Sequence, residues 1–186
     1  MPDGFRSDFR PELPDYLRPG LQLVFVGFNP GDRSSRVGHY YAGRGNQFWN
    51  FLYESGLLPR RLAPEDDAQI LEFGIGLTDV VKRWSRSSSE LCAADYRCGL
   101  TALQNKLEWV SPRAVAFNGK GIFERLTGRP ALLGLARERV AGARVFVLPS
   151  TSGRNGSLTR TEKLAHFSRL ADWLRRNDRR SGAPAA

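Results

Sequence analysis

Long apolar runs are missing from this 186-residue chain, and Cys and His, which build many metal centres, number only two each. No stretch approaches the roughly 20 consecutive apolar residues that a membrane span requires. The N-terminal MPDGFRSDFRPELPD carries no apolar segment of the signal-peptide kind. The two cysteines, Cys92 and Cys98, do not form a C-x-x-C pair, and His39 and His166 lack ligand spacing to either. No metal and no cofactor is therefore expected, and free thiols make the cytoplasm the expected location. Phosphate loops of the form G-x-G-x-x-G or G-x-x-x-x-G-K-[ST] are also absent, which counts against a small nucleotide-binding enzyme. Acidic residues are in short supply as well. Against 28 Lys and Arg stand 19 Asp and Glu, giving a formal net charge of +9 and a pI near 10.2. Arg greatly outnumbers Lys, and its planar fork suits bidentate contact with phosphate. A surface of this kind fits a nucleic-acid partner or plain solubility.

What is present is enough for one core. Hydrophobic residues make up 41% of the chain, and no internal repeat or long linker divides it. Residues 1–19 read as an irregular N-terminal arm, 20–176 as a single domain and 177–186 as a flexible tail. Strands are expected at Leu21–Val26, Ile75–Asp79, Ala114–Phe117 and Arg144–Leu148, three of them dense in Val, Phe and Leu. Helical spacing covers Gln47–Ser55, a stretch opening at Pro64-Glu65-Asp66-Asp67, and Glu90–Val110. A last helix follows the capping box Thr159-Arg160-Thr161-Glu162 and buries Leu164, Phe167, Leu170 and Leu174 on one stripe. The alternation predicts an α/β three-layer sandwich with a central, mainly parallel, four-stranded sheet flanked by helices. Ligands of such sheets bind beyond the carboxyl ends of the strands. The turn GFNPG, with Asn29 between Phe28 and Pro30, sits at such an end. Alone, it reads more readily as a structural turn than as a binding site.

The continuation, GFNPGDRSSRVGHYYAGRGNQFWNFLYESGLL, strongly resembles the mismatch-specific uracil-DNA glycosylase and thymine-DNA glycosylase family. That family's signature is a G-[IF]-N-P-G turn, an aromatic-rich loop, and N-x-F-W opening a helix. The spacing agrees, with Asn46 lying 17 positions after Asn29. Further segments resemble the family in order: GLTDVVKRWSRSSSEL, AVAFNGKGIFE and VLPSTSGRNGS. GHYYAGRGNQFW and PSTSGR are closer to the thymine-DNA glycosylase form.

The resemblance implies a monomeric, cofactor-free, monofunctional DNA glycosylase of base-excision repair, acting on double-stranded DNA and not on membranes. It would flip out uracil, or a related mismatched or damaged pyrimidine, especially opposite guanine, and hydrolyse the N-glycosidic bond. Asn29 takes the place of the family's water-positioning Asn; an amide orients but does not abstract protons, so enzymes with Asn alone should be slow. Tyr41 falls where an aromatic ring stacks on the flipped base, with Tyr40, Phe48 and Trp49 as packing. Phe28 and Gly31 would recognise the pyrimidine through main-chain groups, and Ser34 would meet its 5-position. Asn46 either caps the following helix or contacts the base.

Asp79 departs from the Lys or Asn of relatives. It is either a general base that also stabilises a cationic sugar, or a strand-end Asp that makes a turn or pairs with a nearby Arg such as Arg83. Arg154 falls at the plug position of a wedge loop, Pro149–Arg154, that would fill the vacated space and meet the widowed guanine. Ser150, Ser152, Gly153, Asn118 and Lys120 would grip phosphates around the extruded nucleotide. The basic serine stretch over residues 82–87 either tracks the DNA backbone or is a solvated loop. A non-catalytic DNA-binding module is the competing class, and retained Asn29, Tyr41 and Arg154 speak against it.

Overall fold

In the computed structural model the described residues are 10, 12–85 and 90–181, with side chains through 177. The strands are β1 (Leu23–Gly27), β2 (Ile75–Asp79), β3 (Ala114–Asn118), β4 (Gly134–Val140) and β5 (Ala143–Leu148). They form one sheet in the order β2-β1-β3-β5-β4, parallel except for the β4–β5 pair. Every residue of β1, β2 and β3 is buried, as expected when helices cover both faces. Strand periodicity divides the apolar residues between two cores. Leu23, Phe25, Ala114, Ala116 and Phe146 face one, and Val24, Val26, Val115, Phe117 and Val145 face the other. The first is closed by helices α2 (Phe48–Glu54) and α5 (Arg160–Ser181) through Phe51, Phe167 and Leu170; the second by α3 (Ala93–Val110) and α4 (Lys120–Thr127) through Leu107 and Ile122. The short α1 (Asp32–Val37) completes the set.

The three-layer α/β architecture is as predicted, but the sheet has five strands rather than four. The extra strand, β4, reads GLARERV and is mostly exposed, so no apolar run announces it. Its backbone pairing with β5 makes it a strand, through a hairpin whose turn residues Ala141 and Gly142 both have positive φ. The segment from Pro64 to Phe73 is a 3-10 helix. α5 starts as predicted: Thr159 N–H donates to Glu162 Oε2 at 2.7 Å and Glu162 N–H to Thr159 Oγ1 at 3.3 Å.

The N-terminal boundary moves. Leu13 is buried, Tyr16 forms an antiparallel bridge with Leu77 of β2, and Asp15 pairs with Lys82 at 2.7 Å and Lys106 at 2.6 Å. The expected arm therefore belongs to the domain from about Leu13 onward. The C-terminal boundary moves as well: residues 177–181 of the expected tail continue α5, and residues 182–186 lie outside the described residues.

Candidate active site

The strand order reverses at β1, since the chain leaves it for β2 on one side and returns to β3 on the other. A crevice opens beyond the carboxyl ends of such strands. Gly27 ends β1 in register with Asp79 at the end of β2. A Cβ on Gly27 would overlap the Asp79 carboxylate and lie 3.3 Å from Tyr41 Oη, so the missing side chain is what admits both groups.

The chain after β2 runs on beside the turn after β1. Val80 N–H donates to the Gly27 carbonyl at 2.9 Å and Val81 N–H to that of Phe28 at 2.8 Å. This brings residues 83–85 against Asn29, whose Nδ2 donates to the Arg83 carbonyl at 3.1 Å and to Ser85 Oγ at 2.8 Å. It also lies 3.2 Å from the Pro30 carbonyl. Carbonyls can meet only the NH2 end of an amide, so the contacts orient Asn29 and leave Oδ1, its acceptor, without a partner among the described residues.

Asp79 is 4% exposed, and no hydrogen bond reaches its carboxylate among the described residues. Burial pushes its pKa up to about 7, against the opposing pull of Lys82. Pairing with Arg83 does not occur, because that guanidinium is held by Asp95 at 2.7 Å. Lys82 lies on Asp15, and Trp84 lies under the Arg10 guanidinium at 3.7 Å. The stretch expected to track DNA thus serves internal contacts as far as Ser85; residues 86 and 87 lie outside the described residues.

The loop bearing Tyr41 is fixed by buried groups. Asp67 accepts the Tyr40 N–H at 2.8 Å, and Ser34 Oγ accepts the Ala42 N–H at 3.0 Å. The Tyr41 ring stacks on Phe48 with centroids 3.7 Å apart, and Phe48 and Trp49 are core, as expected. Asn46 Oδ1 accepts the Phe48 N–H at 3.0 Å from one residue before the N-cap position, Gln47, and Asn46 also lines the cleft. The carbonyls of Phe28 and Gly31 are engaged by Val81 and Ser35, and the Phe28 ring packs over Gly121.

The opposite wall is the loop over residues 149–158. Asn118, expected to grip phosphate, spends its side chain on Thr151: Nδ2 donates to Thr151 Oγ1 at 2.9 Å, and Oδ1 accepts the Thr151 N–H at 3.1 Å. Thr151 in turn accepts the Gln47 N–H with its carbonyl. The nearly buried Lys163 of α5 donates to the Asn155 carbonyl at 2.5 Å. Ser150 and Ser152 accept backbone N–H groups of the loop, Gly153 packs on Gly45, and Arg154 and Lys120 are exposed. Between the walls lies a cavity of about 1370 Å³, and every residue proposed for the site lines it. Ser85, Thr151, Asp67 and Lys163 were not expected. Thr151, Ser85 and Asp67 lie within segments singled out for other reasons and Lys163 outside any, and their roles show only through burial and tertiary contact. Among the described residues no cluster of His, Cys, Asp or Glu could hold a metal, and no helix is long and apolar enough to cross a membrane.

The family model of the uracil DNA glycosylase superfamily matches residues 14–175. The chain belongs to that superfamily. It is also similar to the NMR solution structure of a protein from Methanosarcina acetivorans assigned as a uracil DNA glycosylase. The identity is 26% and the TM-score 0.60, over 87% of this chain and 98% of that one. The match starting at residue 14 agrees with the arm's incorporation into the domain. As a member of this superfamily, the chain has a cleft bounded by conformationally fixed polar groups on one side and basic, exposed ones on the other.

Proposed function

We propose that this chain is a monofunctional DNA glycosylase that removes uracil and related pyrimidines, especially opposite guanine, in base-excision repair. The reading rests above all on Asp79, a buried carboxylate without a hydrogen-bond partner among the described residues, which lines the same cavity as the oriented Asn29 amide. Burying an ionisable group unpaired is costly and serves no packing purpose, so a purely binding module has no use for it. With a pKa of about 7 it is matched to general-base work near neutral pH.

In the reaction, the extruded base enters the cavity and stacks on Tyr41, which Phe48 backs. Asn29 aims a water at the anomeric carbon through Oδ1. Asp79 accepts the proton as the water oxygen bonds to that carbon, and the base departs with the electron pair of the glycosidic bond. A carboxylate near the oxocarbenium-like sugar also stabilises its charge. Ser34 and the Phe28–Gly31 turn meet the pyrimidine edge. Lys120, Ser150, Ser152 and Gly153 meet phosphates, Arg154 enters the duplex as the plug, and Asn118 fixes the loop from behind. The GHYYAGRGNQFW and PSTSGR forms favour the thymine-DNA glycosylase type within the superfamily. The enzyme acts as a monomer and needs no cofactor.

The test is alkaline nicking of U·G, U·A, T·G and single-stranded uracil substrates. Abasic product from U·G duplex is expected. Absence of product from every uracil substrate overturns the proposal.

A further inference from the structure

Tyr41 combines features that base stacking alone does not require. Its φ is +55°, left-handed backbone that a bulky aromatic residue rarely adopts. Each peptide unit flanking it is held by a buried side chain: the Tyr40 carbonyl accepts from Trp49 Nε1 at 3.0 Å, and the Ala42 N–H donates to Ser34 Oγ at 3.0 Å. Fixing the planes on both sides of a residue fixes its φ and ψ, so the surroundings impose the strained conformation. The outcome is a ring stacked on Phe48 with its hydroxyl buried and without a hydrogen-bond partner among the described residues. Asn118 Nδ2 lies near it but makes its one hydrogen bond of good geometry to Thr151 Oγ1. The hydroxyl and the Asp79 carboxylate converge on Gly27, where a Cβ would overlap the carboxylate and lie 3.3 Å from the hydroxyl, and neither group has a hydrogen-bond partner among the described residues. A ring used only as a platform is as good without its oxygen. Burying an unsatisfied hydroxyl costs free energy that a phenylalanine avoids.

We propose that the Tyr41 hydroxyl is a catalytic group, donating a hydrogen bond to the attacking water and holding it against Asp79. This rests on the glycosylase reading and adds a third group to Asn29 and Asp79. Two polar groups that converge on one glycine can be satisfied together by a single water once the substrate-bound site admits one between them. The hydroxyl supplies the donor that Asp79, as an ionised acceptor, and Asn29 Oδ1 both lack. Its burial beside a carboxylate raises its own pKa, so it stays protonated and keeps that role throughout the working range. Its proton is not transferred. The water's proton goes to Asp79, and the departing base carries the electron pair of the broken C–N bond.

The experiment compares Tyr41→Phe, Asp79→Asn and the double variant in single-turnover excision from U·G duplex, with affinity measured on the abasic product duplex. Tyr41→Phe should slow excision roughly ten- to a hundredfold, the worth of a hydrogen bond in a charged setting. Affinity should stay within about twofold because the ring remains. Its melting temperature should be unchanged or higher, whereas loss of a structural hydroxyl would lower it. In the Asp79→Asn background the same change should have little effect, because both groups act on one water. Wild-type excision by Tyr41→Phe would overturn the proposal, as would an equal rate loss with or without Asp79. Inactive wild-type protein would instead overturn the glycosylase reading itself, so the two failures are distinct.

Discussion

The two walls of the cleft are held in opposite ways. On the wall formed by residues 27–42 and 79–85, Asn29 is held through Nδ2 and both peptides flanking Tyr41 are pinned, while Asp79 is packed against Gly27. The facing loop is anchored at Thr151 and Asn155, while residues 153–157 between and around those anchors are exposed. Bond breaking needs groups within a fraction of an ångström of their working positions, and the first wall meets that need before substrate arrives. A duplex is a large and variable partner, and a loop of glycine, serine and arginine can adjust to it at a modest ordering cost. Strength of fixation therefore separates chemistry from grip.

The sharpest way to break this division is at Asp79. Asp79→Asn should lower single-turnover excision by about 10²- to 10⁴-fold while leaving affinity for abasic product DNA within a few-fold. Near-wild-type excision would show that Asn29 suffices. The wild-type rate should rise about tenfold per pH unit below a pKa of about 7 and level off above it, and the variant should lose that dependence.

The same group has a sign in stability. Its pKa in the folded state exceeds its unfolded value of 3.8, so the folded state binds the extra proton between the two, and stability falls as pH rises through that window. Asp79→Asn should thus raise stability at pH 8 by roughly 2–4 kcal/mol, read as a higher Tm than wild type. At pH 4 the two proteins should differ little.

Gly27→Ala tests the packing that lets Asp79 and Tyr41 approach. The added methyl overlaps the carboxylate, so about 1–3 kcal/mol of stability should be lost and excision should fall with it. Across the cleft, Thr151→Val leaves Asn118 Nδ2 buried without its acceptor. A loss of about 1–3 kcal/mol is expected in denaturant titration, with weaker DNA binding and less change in the chemical step. The smallest effects belong to single charges. Lys120→Ala should weaken binding evenly across sequences and reduce the salt slope of log K by about one. A kcat loss from Lys120→Ala larger than that from Asp79→Asn would erase the distinction between the walls.

Much of this was legible beforehand, for identifiable reasons. β1, β3 and β5 are buried on both faces and so appear as apolar runs; GFNPG and the capping box Thr159–Glu162 are local in sequence. β4 was hidden because its strand character comes from pairing with β5 and not from its own pattern. Asp79 was visible as a departure from the family. Its freedom from Arg83 was not, since that depends on Asp95, 12 positions away, reaching the guanidinium first. Ser85 and Thr151 illustrate the same limit: a side chain that orients another is decided by tertiary contact, and a lone polar letter carries no sign of it.

The bridge between Tyr16 and Leu77 has a practical consequence. β2 is the outermost strand on its side of the sheet, and the segment around Tyr16 occupies the flank where another chain could add itself. A protein trimmed at residue 20, where composition alone would cut, would keep all five strands yet present β2 as an open template for edge-to-edge self-association. The residues around Tyr16 are a guard on solubility, and expression of the trimmed form should show it as aggregation rather than as lost chemistry.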